Sequence, residues 1–294
     1  MKIVITGASG QLGKELQKII RTGKAEIGEI SKSVASSEVF AADVDVLDIT
    51  KLDNVRAYLN DIKPDVVINC AAFTAVDKAE EVYDLAEKIN ADGPGNLAKA
   101  AKEVDATLIH ISTDYVFNGD LDVSKSYVET DEVGPVTVYG KTKLHGEEQV
   151  KSNTDKYYIF RTAWLYGDGN NFVRTMLKLG TEKDEISVVA DQHGSPTYAE
   201  DLANIIAQAI EKKIPYGLYH STNQGFTTWY QFTKKIFELA DIKCNVKPVT
   251  SEEFIRPAKR PKNSQLNKQK LLDQEVVVPN WEDGLKRYLE VELH

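Results

Sequence analysis

Tyr139 and Lys143 stand four residues apart in the stretch VTVYGKTKLHGEEQV, Val136 to Val150. Residues at that spacing share one face of an α-helix. Two readings follow. One is a solvated face on which a phenol and an ammonium are neighbours. The other is a phenol whose pKa an adjacent cation lowers, so that it moves protons near neutral pH. An unperturbed Tyr titrates near 10, and shifting it two to three units takes about 3–4 kcal/mol of differential stabilisation. An ammonium in a partly dry site can supply that order of effect. A third group belongs with them. Ser112-Thr113-Asp114-Tyr115-Val116-Phe117 follows an apolar strand-like run. A hydroxyl at Thr113 can hydrogen-bond a carbonyl oxygen that Tyr139 then protonates.

A second constellation lies near the N-terminus. The run Lys2–Thr6 leads straight into Gly7-Ala8-Ser9-Gly10-Gln11-Leu12-Gly13. Glycines three apart, between a strand and a helix, let the backbone turn tightly and approach a pyrophosphate, which rests on the helix N-terminus. The expected ligand is a nicotinamide dinucleotide, and Lys143 would also hold its ribose. Asp48-Ile49 offers a carboxylate and an apolar side chain to an adenine; the alternative is a turn Asp ahead of a helix. Ala71-Ala72-Phe73-Thr74 ends another strand-like run, where small residues leave room for a cofactor. Asn90 reads equally as a site residue or as a solvated polar residue.

Positioning these groups takes alternating elements. Lys2–Thr6, Asp65–Asn69, Thr107–Ile111 and Tyr157–Arg161 are short apolar strands. Gln11–Arg21, 82–104 and the Tyr139 segment carry helical periodicity between them. The pattern predicts an α/β fold: a Rossmann-like, doubly wound parallel sheet covered on both faces. After Trp164 the rhythm loosens and prolines punctuate shorter elements. Residues 1–163 are therefore expected to form the dinucleotide-binding domain and 164–294 a smaller substrate-binding lobe, with a helix near 198–212 packing back on the first domain. A formal charge of −9 over 294 residues argues against nucleic-acid partners, which need a basic face. Two cysteines, Cys70 and Cys244, give no disulfide framework, and the five histidines show no metal-binding spacing. With no signal-peptide pattern and no apolar run of membrane length, a cytoplasmic protein is expected.

Together these motifs resemble the extended short-chain dehydrogenase/reductases. GASGQLG, AAFTAVDKAE (Ala71–Glu80), STDYVFNG (Ser112–Gly119), YGKTKLHGE (Tyr139–Glu147), RTAWLYG (Arg161–Gly167), DQHGSPTYAEDLA (Asp191–Ala203) and RPKNSQL (Arg260–Leu266) narrow the resemblance to the dTDP-4-dehydrorhamnose reductases, over nearly the whole chain. The resemblance implies NAD(P)H-dependent reduction of a dTDP-4-keto-6-deoxysugar at C4 to give dTDP-L-rhamnose. It implies Tyr139 as catalytic acid with Lys143 and Thr113 as helpers. Asp114 and Trp164 would contact the sugar nucleotide, and Ser195, Thr197 and Arg260 would add polar contacts. Gly10, Gln11, Leu12, Asp48, Ile49, Ala71, Ala72, Phe73, Tyr139 and Lys143 would line the cofactor site, with Gly7 and Gly13 completing its turn. On residue chemistry alone, Trp164 reads as a core residue or as a flat wall for a sugar, and Arg260 as a solvated residue or as a diphosphate clamp. Two departures stand out: Asn267 where the family often has Asp, and Phe73 where relatives often have Tyr or His. A dehydratase on this fold would need Asp-Glu after the Thr, whereas here Asp114-Tyr115 follows Thr113. A non-catalytic regulatory subunit is the other rival, and the intact Tyr139/Lys143/Thr113 set argues against it. A monomer or homodimer is expected.

Cofactor choice is read from the end of the second strand, where a carboxylate favours a ribose 2′-hydroxyl and a cation a 2′-phosphate. Taking Glu26–Ile30 as that strand puts Ser31-Lys32-Ser33 against the ribose and Glu29 within the strand. The expectation is use of both NADH and NADPH, with a modest preference for NADPH.

Overall fold

Alternation along Lys2–Thr6 sends Ile3 and Ile5 to one side of a sheet and Val4 to the other. In the computed structural model, which describes residues 1–293, this strand (β1) lies between β2 (Glu38–Ala42) and β3 (Val66–Asn69). Strands β4 (Thr107–Thr113), β5 (Tyr157–Thr162) and β6 (Gly217–His220) extend the sheet beyond β3. The order is β2-β1-β3-β4-β5-β6, and every neighbouring pair is parallel. The chain winds from β1 to β2, then returns to the other side of β1. That reversal opens a crevice at the carboxyl ends of β1 and β3.

The described residues form eight longer helices: α1 (Gln11–Thr22), α2 (Leu52–Ile62), α3 (Gly93–Glu103), α4 (Val138–Asn153), α5 (Phe172–Glu182), α6 (Ala199–Lys212), α7 (Trp229–Leu239) and α8 (Trp281–Glu292). On one face Ile3, Ile5, Ile68, Ile109 and Phe160 meet Leu12, Leu16, Ile19 and Ile20 of α1 and Leu202, Ile205 and Ile206 of α6. On the other, Val4, Val67, Leu108 and Ile159 meet Val55 and Leu59 of α2, Leu97 and Ala101 of α3, and Val150 of α4. Burying a side chain such as Leu16 contributes about 1.5–3 kcal/mol, and Leu16→Ala would cost more because of the cavity it leaves. Helix α1 stops at Gly23, whose left-handed backbone (φ 69°) lets its N–H reach Ile19 O at 2.9 Å.

The second half of the chain leaves the sheet after β5 and returns to it. Helix α6 packs beside α1, and β6 forms the sheet edge next to β5. Residues 199–220 are thus part of the central layers, although they follow Trp164. Four residues beginning with Gly217 are too few to show strand periodicity. The remaining segments surround a separate aromatic-rich core: Tyr166, Met176, Phe232, Phe237, Trp281 and Leu285, contributed in part by α5, α7 and α8.

The strand beside β1 is not Glu26–Ile30. Lys24–Ala25 and Gly28–Glu29 form only a short antiparallel hairpin, and Ser31 precedes a single helical turn, Lys32–Ala35. Two causes keep this segment off the sheet. Gly28 takes φ 150°, and Glu26 is held elsewhere, accepting from Tyr198 Oη at 2.9 Å and pairing with Arg287 at 3.0 Å. The place beside β1 goes to Glu38–Ala42.

Candidate active site

A cavity of about 740 Å³ opens where the strand order reverses. The turn after β1 forms one wall, with Gly7, Gly10, Gln11, Leu12 and Gly13. Gly7 has φ 62°, and a Cβ there would lie 2.6 Å from Ala71 N. A Cβ on Gly13 would lie 2.5 Å from Gly7 O. The close approach of turn, helix and β3 therefore demands glycine at both positions. No side chain caps the start of α1, so its leading N–H groups face the cavity without an internal acceptor. Backbone N–H groups, a side-chain-free turn and an elongated crevice fit a dinucleotide pyrophosphate.

Asp48, Ile49, Ala71 and Ala72 also line this cavity. Asp48 does two things at once: its Oδ1 accepts from Thr50 N at 3.0 Å and Thr50 Oγ1 at 2.7 Å, which holds the turn before α2. Phe73 is not among the lining residues. Its backbone is held from behind by Asn90, whose Oδ1 accepts from Phe73 N at 2.8 Å and whose Nδ2 donates to Phe73 O at 3.1 Å. Asn90 is fully buried and also donates to Thr142 Oγ1 at 3.1 Å. It sits in a π-helical turn, Lys88–Asp92, and ties the Ala71–Phe73 loop to α4.

The proton-handling groups meet at the cavity's other end. Thr113 closes β4; Tyr139 and Lys143 lie on the first turns of α4, which Thr137 caps by accepting from Gly140 N at 3.0 Å. Thr113 Oγ1 donates to Asp114 Oδ1 at 3.0 Å and accepts from Tyr115 N at 3.2 Å. The Tyr115 ring stands edge-on to Tyr139, centroids 5.5 Å apart. Burial pushes the Tyr139 phenol up to about 12, with the nearby Thr113 hydroxyl opposing and the Asp114 charge adding to the rise. Lys143 is buried, and its Nζ donates to Ile111 O at 2.5 Å. Burial brings its ammonium down to about 8, with Glu147 and Cys70 opposing. The expected tuning of the phenol by the ammonium is therefore absent from this arrangement. The ammonium is drawn toward the β4 carbonyl, and desolvation governs both groups. Beneath them Glu147 accepts from Arg161 through Nε and Nη2, each at 2.8 Å, and from Ser112 Oγ at 2.6 Å. This buried pair joins α4 to the ends of β4 and β5, and removing one partner would leave an uncompensated charge.

Asp114 and Trp164 line the same cavity. Asp114 Oδ2 is buried without a partner, and burial raises its carboxyl to about 6. Trp164 adopts φ 49°, a strained backbone for a bulky residue, at the point where the chain leaves β5. Its indole stacks on Trp229, a residue with no motif signal, at 3.6 Å between centroids. Ser195, Thr197 and Arg260 are not among the lining residues. Ser195 Oγ donates to Gly225 O at 2.9 Å and Thr197 Oγ1 to Ala163 O at 2.7 Å, so both hydroxyls are spent on holding loops. Arg260 forms a two-pronged pair with Asp77, Nη1 to Oδ1 at 2.6 Å and Nη2 to Oδ2 at 2.9 Å. Asp43, Val44 and Cys70 line the cavity and were not singled out from the sequence. Asp43 had a signal, since it directly follows the apolar run Val39–Ala42; the strand-like look of Glu26–Ile30 hid it. Among the described residues, no group of three or more His, Cys, Asp or Glu is placed to hold a metal ion, and no helix is long and apolar enough to cross a membrane.

A doubly wound parallel sheet, a glycine turn at its switch point and a Thr/Tyr/Lys set across the same cavity define a Rossmann-type reductase of the short-chain dehydrogenase/reductase kind. Residues 1–293 match the family described as the RmlD substrate binding domain. A dTDP-4-dehydrorhamnose reductase of Escherichia coli K12 is 41% identical, the alignment covering 98% of this chain and 97% of the relative. The crystal structure of a dTDP-4-dehydrorhamnose reductase from Clostridium acetobutylicum superposes with TM-score 0.93 at 50% identity, covering 100% of both chains. That of Bacillus anthracis dTDP-4-dehydrorhamnose reductase, in complex with NADP, gives TM-score 0.90 at 44% identity, covering 99% of both. The chain belongs to the dTDP-4-dehydrorhamnose reductase family.

Proposed function

We infer that this chain is a nicotinamide-dependent oxidoreductase that reduces dTDP-4-dehydrorhamnose to dTDP-L-rhamnose, with Tyr139 as the proton donor. The observation that carries the assignment of residues is the convergence of Thr113, Tyr139 and Lys143 on the cavity that also holds the glycine turn. When bound, the reduced nicotinamide supplies hydride to C4. Thr113 hydrogen-bonds the C4 oxygen, and Tyr139 hands it a proton as negative charge develops there. A phenol held near 12 is protonated at neutral pH, as a proton donor must be, and an alkoxide is a stronger base than the phenolate left behind. Lys143 binds the ribose and places a positive charge below the phenolate as it forms. The free Oδ2 of Asp114 accepts from a sugar hydroxyl, and the Trp164 face covers the sugar ring. Arg260 clamps the diphosphate after exchanging Asp77 for it.

The preference for NADPH expected from Ser31-Lys32-Ser33 loses its basis, because that segment lies off the sheet and does not line the cavity. Incubating the protein with the keto-sugar and NADH or NADPH, and following the loss of nicotinamide absorbance and the appearance of dTDP-L-rhamnose, tests the reading. Cofactor binding without sugar reduction would remove the substrate assignment.

A further inference from the structure

We propose that Glu147 is a positioning residue for the reduction: clamped between Ser112 and Arg161, it locks the end of β4 against α4 and sets a fixed carboxylate one turn beyond Lys143; the inference rests on the function proposed above.

Tyr139, Lys143 and Glu147 stand four apart on α4 and so form one stripe along it. Strand β4 supplies the other half. Its alternation turns Leu108, His110 and Ser112 toward α4. Ser112 Oγ donates to Glu147 Oε1 at 2.6 Å. Arg161, the register partner of Ser112 on β5, donates to the same carboxylate through Nε and Nη2 at 2.8 Å each. The neighbours of Ser112 are the groups the chemistry uses. Ile111 O accepts from Lys143 Nζ, and Thr113 lines the cavity. One carboxylate thus fixes the peptide that carries Thr113 relative to the helix that carries Tyr139 and Lys143. Glu147 and Arg161 are 0% and 2% exposed. A pair buried this deeply is often no more stabilising than apolar side chains of the same volume, so stability alone gives little reason for it.

The charges agree with that placement. Around Lys143 stand Tyr139 and Glu147 on α4, Cys70 just after β3 and His110 on β4, with Lys151 and Arg161 bonded to Glu147 and Asp114 bearing on Tyr139. Burial pushes the Cys70 thiol up to about 12 and holds His110 well below its ordinary value, so both are neutral at neutral pH. Burial also works against the Glu147 carboxylate, but the bonds from Arg161 and Ser112 outweigh it and keep the group ionised. Glu147 is therefore the anion that favours the charged form of Lys143, against the burial of its ammonium.

The test uses the intact protein with NADH and NADPH. Dinucleotide binding is followed by quenching of Trp fluorescence, since Trp164 lines the cavity, from about pH 6 to about pH 9. Glu147→Gln still offers Ser112 an amide oxygen but removes the charge. Its dinucleotide affinity should fall away with rising pH about one pH unit earlier than that of the wild type. Ser112→Ala keeps the charge and the Arg161 bonds. Its kcat on the keto-sugar should drop about tenfold or more, with KM for the sugar within about twofold of wild type. Glu147→Gln strands the Arg161 charge, so the double variant Glu147→Gln/Arg161→Met is measured beside it; it should recover the lost Tm and keep the displaced pH profile. An unmoved profile in both Glu147 variants would overturn the proposal, and so would a wild-type kcat in Ser112→Ala. A double variant that regains the wild-type profile together with its Tm would do the same, the behaviour of a pair that only holds the fold. A wild type that fails to reduce the keto-sugar would remove the substrate reading alone, and the binding profiles would still decide the part played by Glu147. Binding of neither dinucleotide would overturn both.

Discussion

The indole of Trp164 lies on that of Trp229, ring centroids 3.6 Å apart and planes 13° from parallel. Phe172 packs against Trp229 at 4.4 Å, so the wall of the cavity is braced by the aromatic core beyond it. A φ of 49° costs Trp164 backbone energy that this packing offsets. Trp164→Ala is expected to raise KM for the sugar nucleotide about tenfold or more while leaving dinucleotide affinity within about twofold. Trp229→Ala, which leaves the Trp164 side chain in place, should move the same KM in the same direction, and Trp229→Phe should restore most of it. Steady-state kinetics with the sugar varied, alongside cofactor titrations, separate these outcomes. Equal losses in both affinities would mean the stack serves the fold rather than the sugar.

Tyr139→Phe keeps the ring against Tyr115 and removes the proton donor. kcat should fall about 10²–10⁴-fold with cofactor binding nearly intact. A kcat within about twofold of wild type would remove Tyr139 from the role assigned to it.

Lys143 loses its charge as pH passes through about 8 in the ligand-free protein. Its folded pKa is below the ordinary lysine value of 10.5, so the unfolded chain holds the proton more tightly and ionised Lys143 opposes folding below about 8. Lys143→Met should therefore cost little stability while raising the dinucleotide Kd and lowering kcat together. Chemical denaturation at neutral pH, set beside cofactor titration, checks the pair. A change confined to KM for the sugar would contradict the dual role.

Asp77 competes with the diphosphate for Arg260. Arg260→Ala should raise KM for the sugar nucleotide about tenfold, and Asp77→Asn, which loosens the competing pair, should lower it by a factor of about two to five. Kinetics on both variants decide the matter. An Asp77→Asn enzyme with a higher KM would show that the pair holds the Ala258–Arg260 loop in place, as the bond from Ala258 N to Asp77 Oδ1 at 3.1 Å allows.

Glu200 is fully buried beside Glu26 and Asp201, and burial raises its carboxyl to about 7 from 4.5, with the neighbouring charges adding and the Glu26 N–H and Arg287 opposing. Its folded pKa lies above its unfolded one. The folded state thus binds the extra proton, and stability falls as pH rises from about 4.5 to about 7, by something on the order of 3 kcal/mol. Glu200→Gln keeps an acceptor for Glu26 N and should raise Tm above pH 7 while leaving it nearly unchanged near pH 5. Urea unfolding across that range reads the slope directly. A Gln variant less stable at pH 8 would show that the Arg287 contact outweighs the burial of charge.

Local chemistry determined much of this protein. The glycine turn, the strand alternation of Lys2–Thr6 and the apolar face of α1 are properties of short stretches, so they were legible without any partner in view. The family was legible for the same reason, being carried by contiguous motifs such as STDYVFNG and YGKTKLHGE. Tertiary structure decided what depends on competition between distant groups. Glu26 was claimed by Tyr198 and Arg287, which freed the place beside β1 for Glu38–Ala42 and brought Asp43 to the cavity. Lys143 turned to the carbonyl of Ile111, and the hydroxyls of Ser195 and Thr197 were taken by backbone oxygens of remote loops. A side chain's type and spacing say what it can bind. Which of several partners it does bind depends on the free energy of the whole packing, where burial without a partner costs about 1–3 kcal/mol per polar group, and that sum is formed only when the chain has folded.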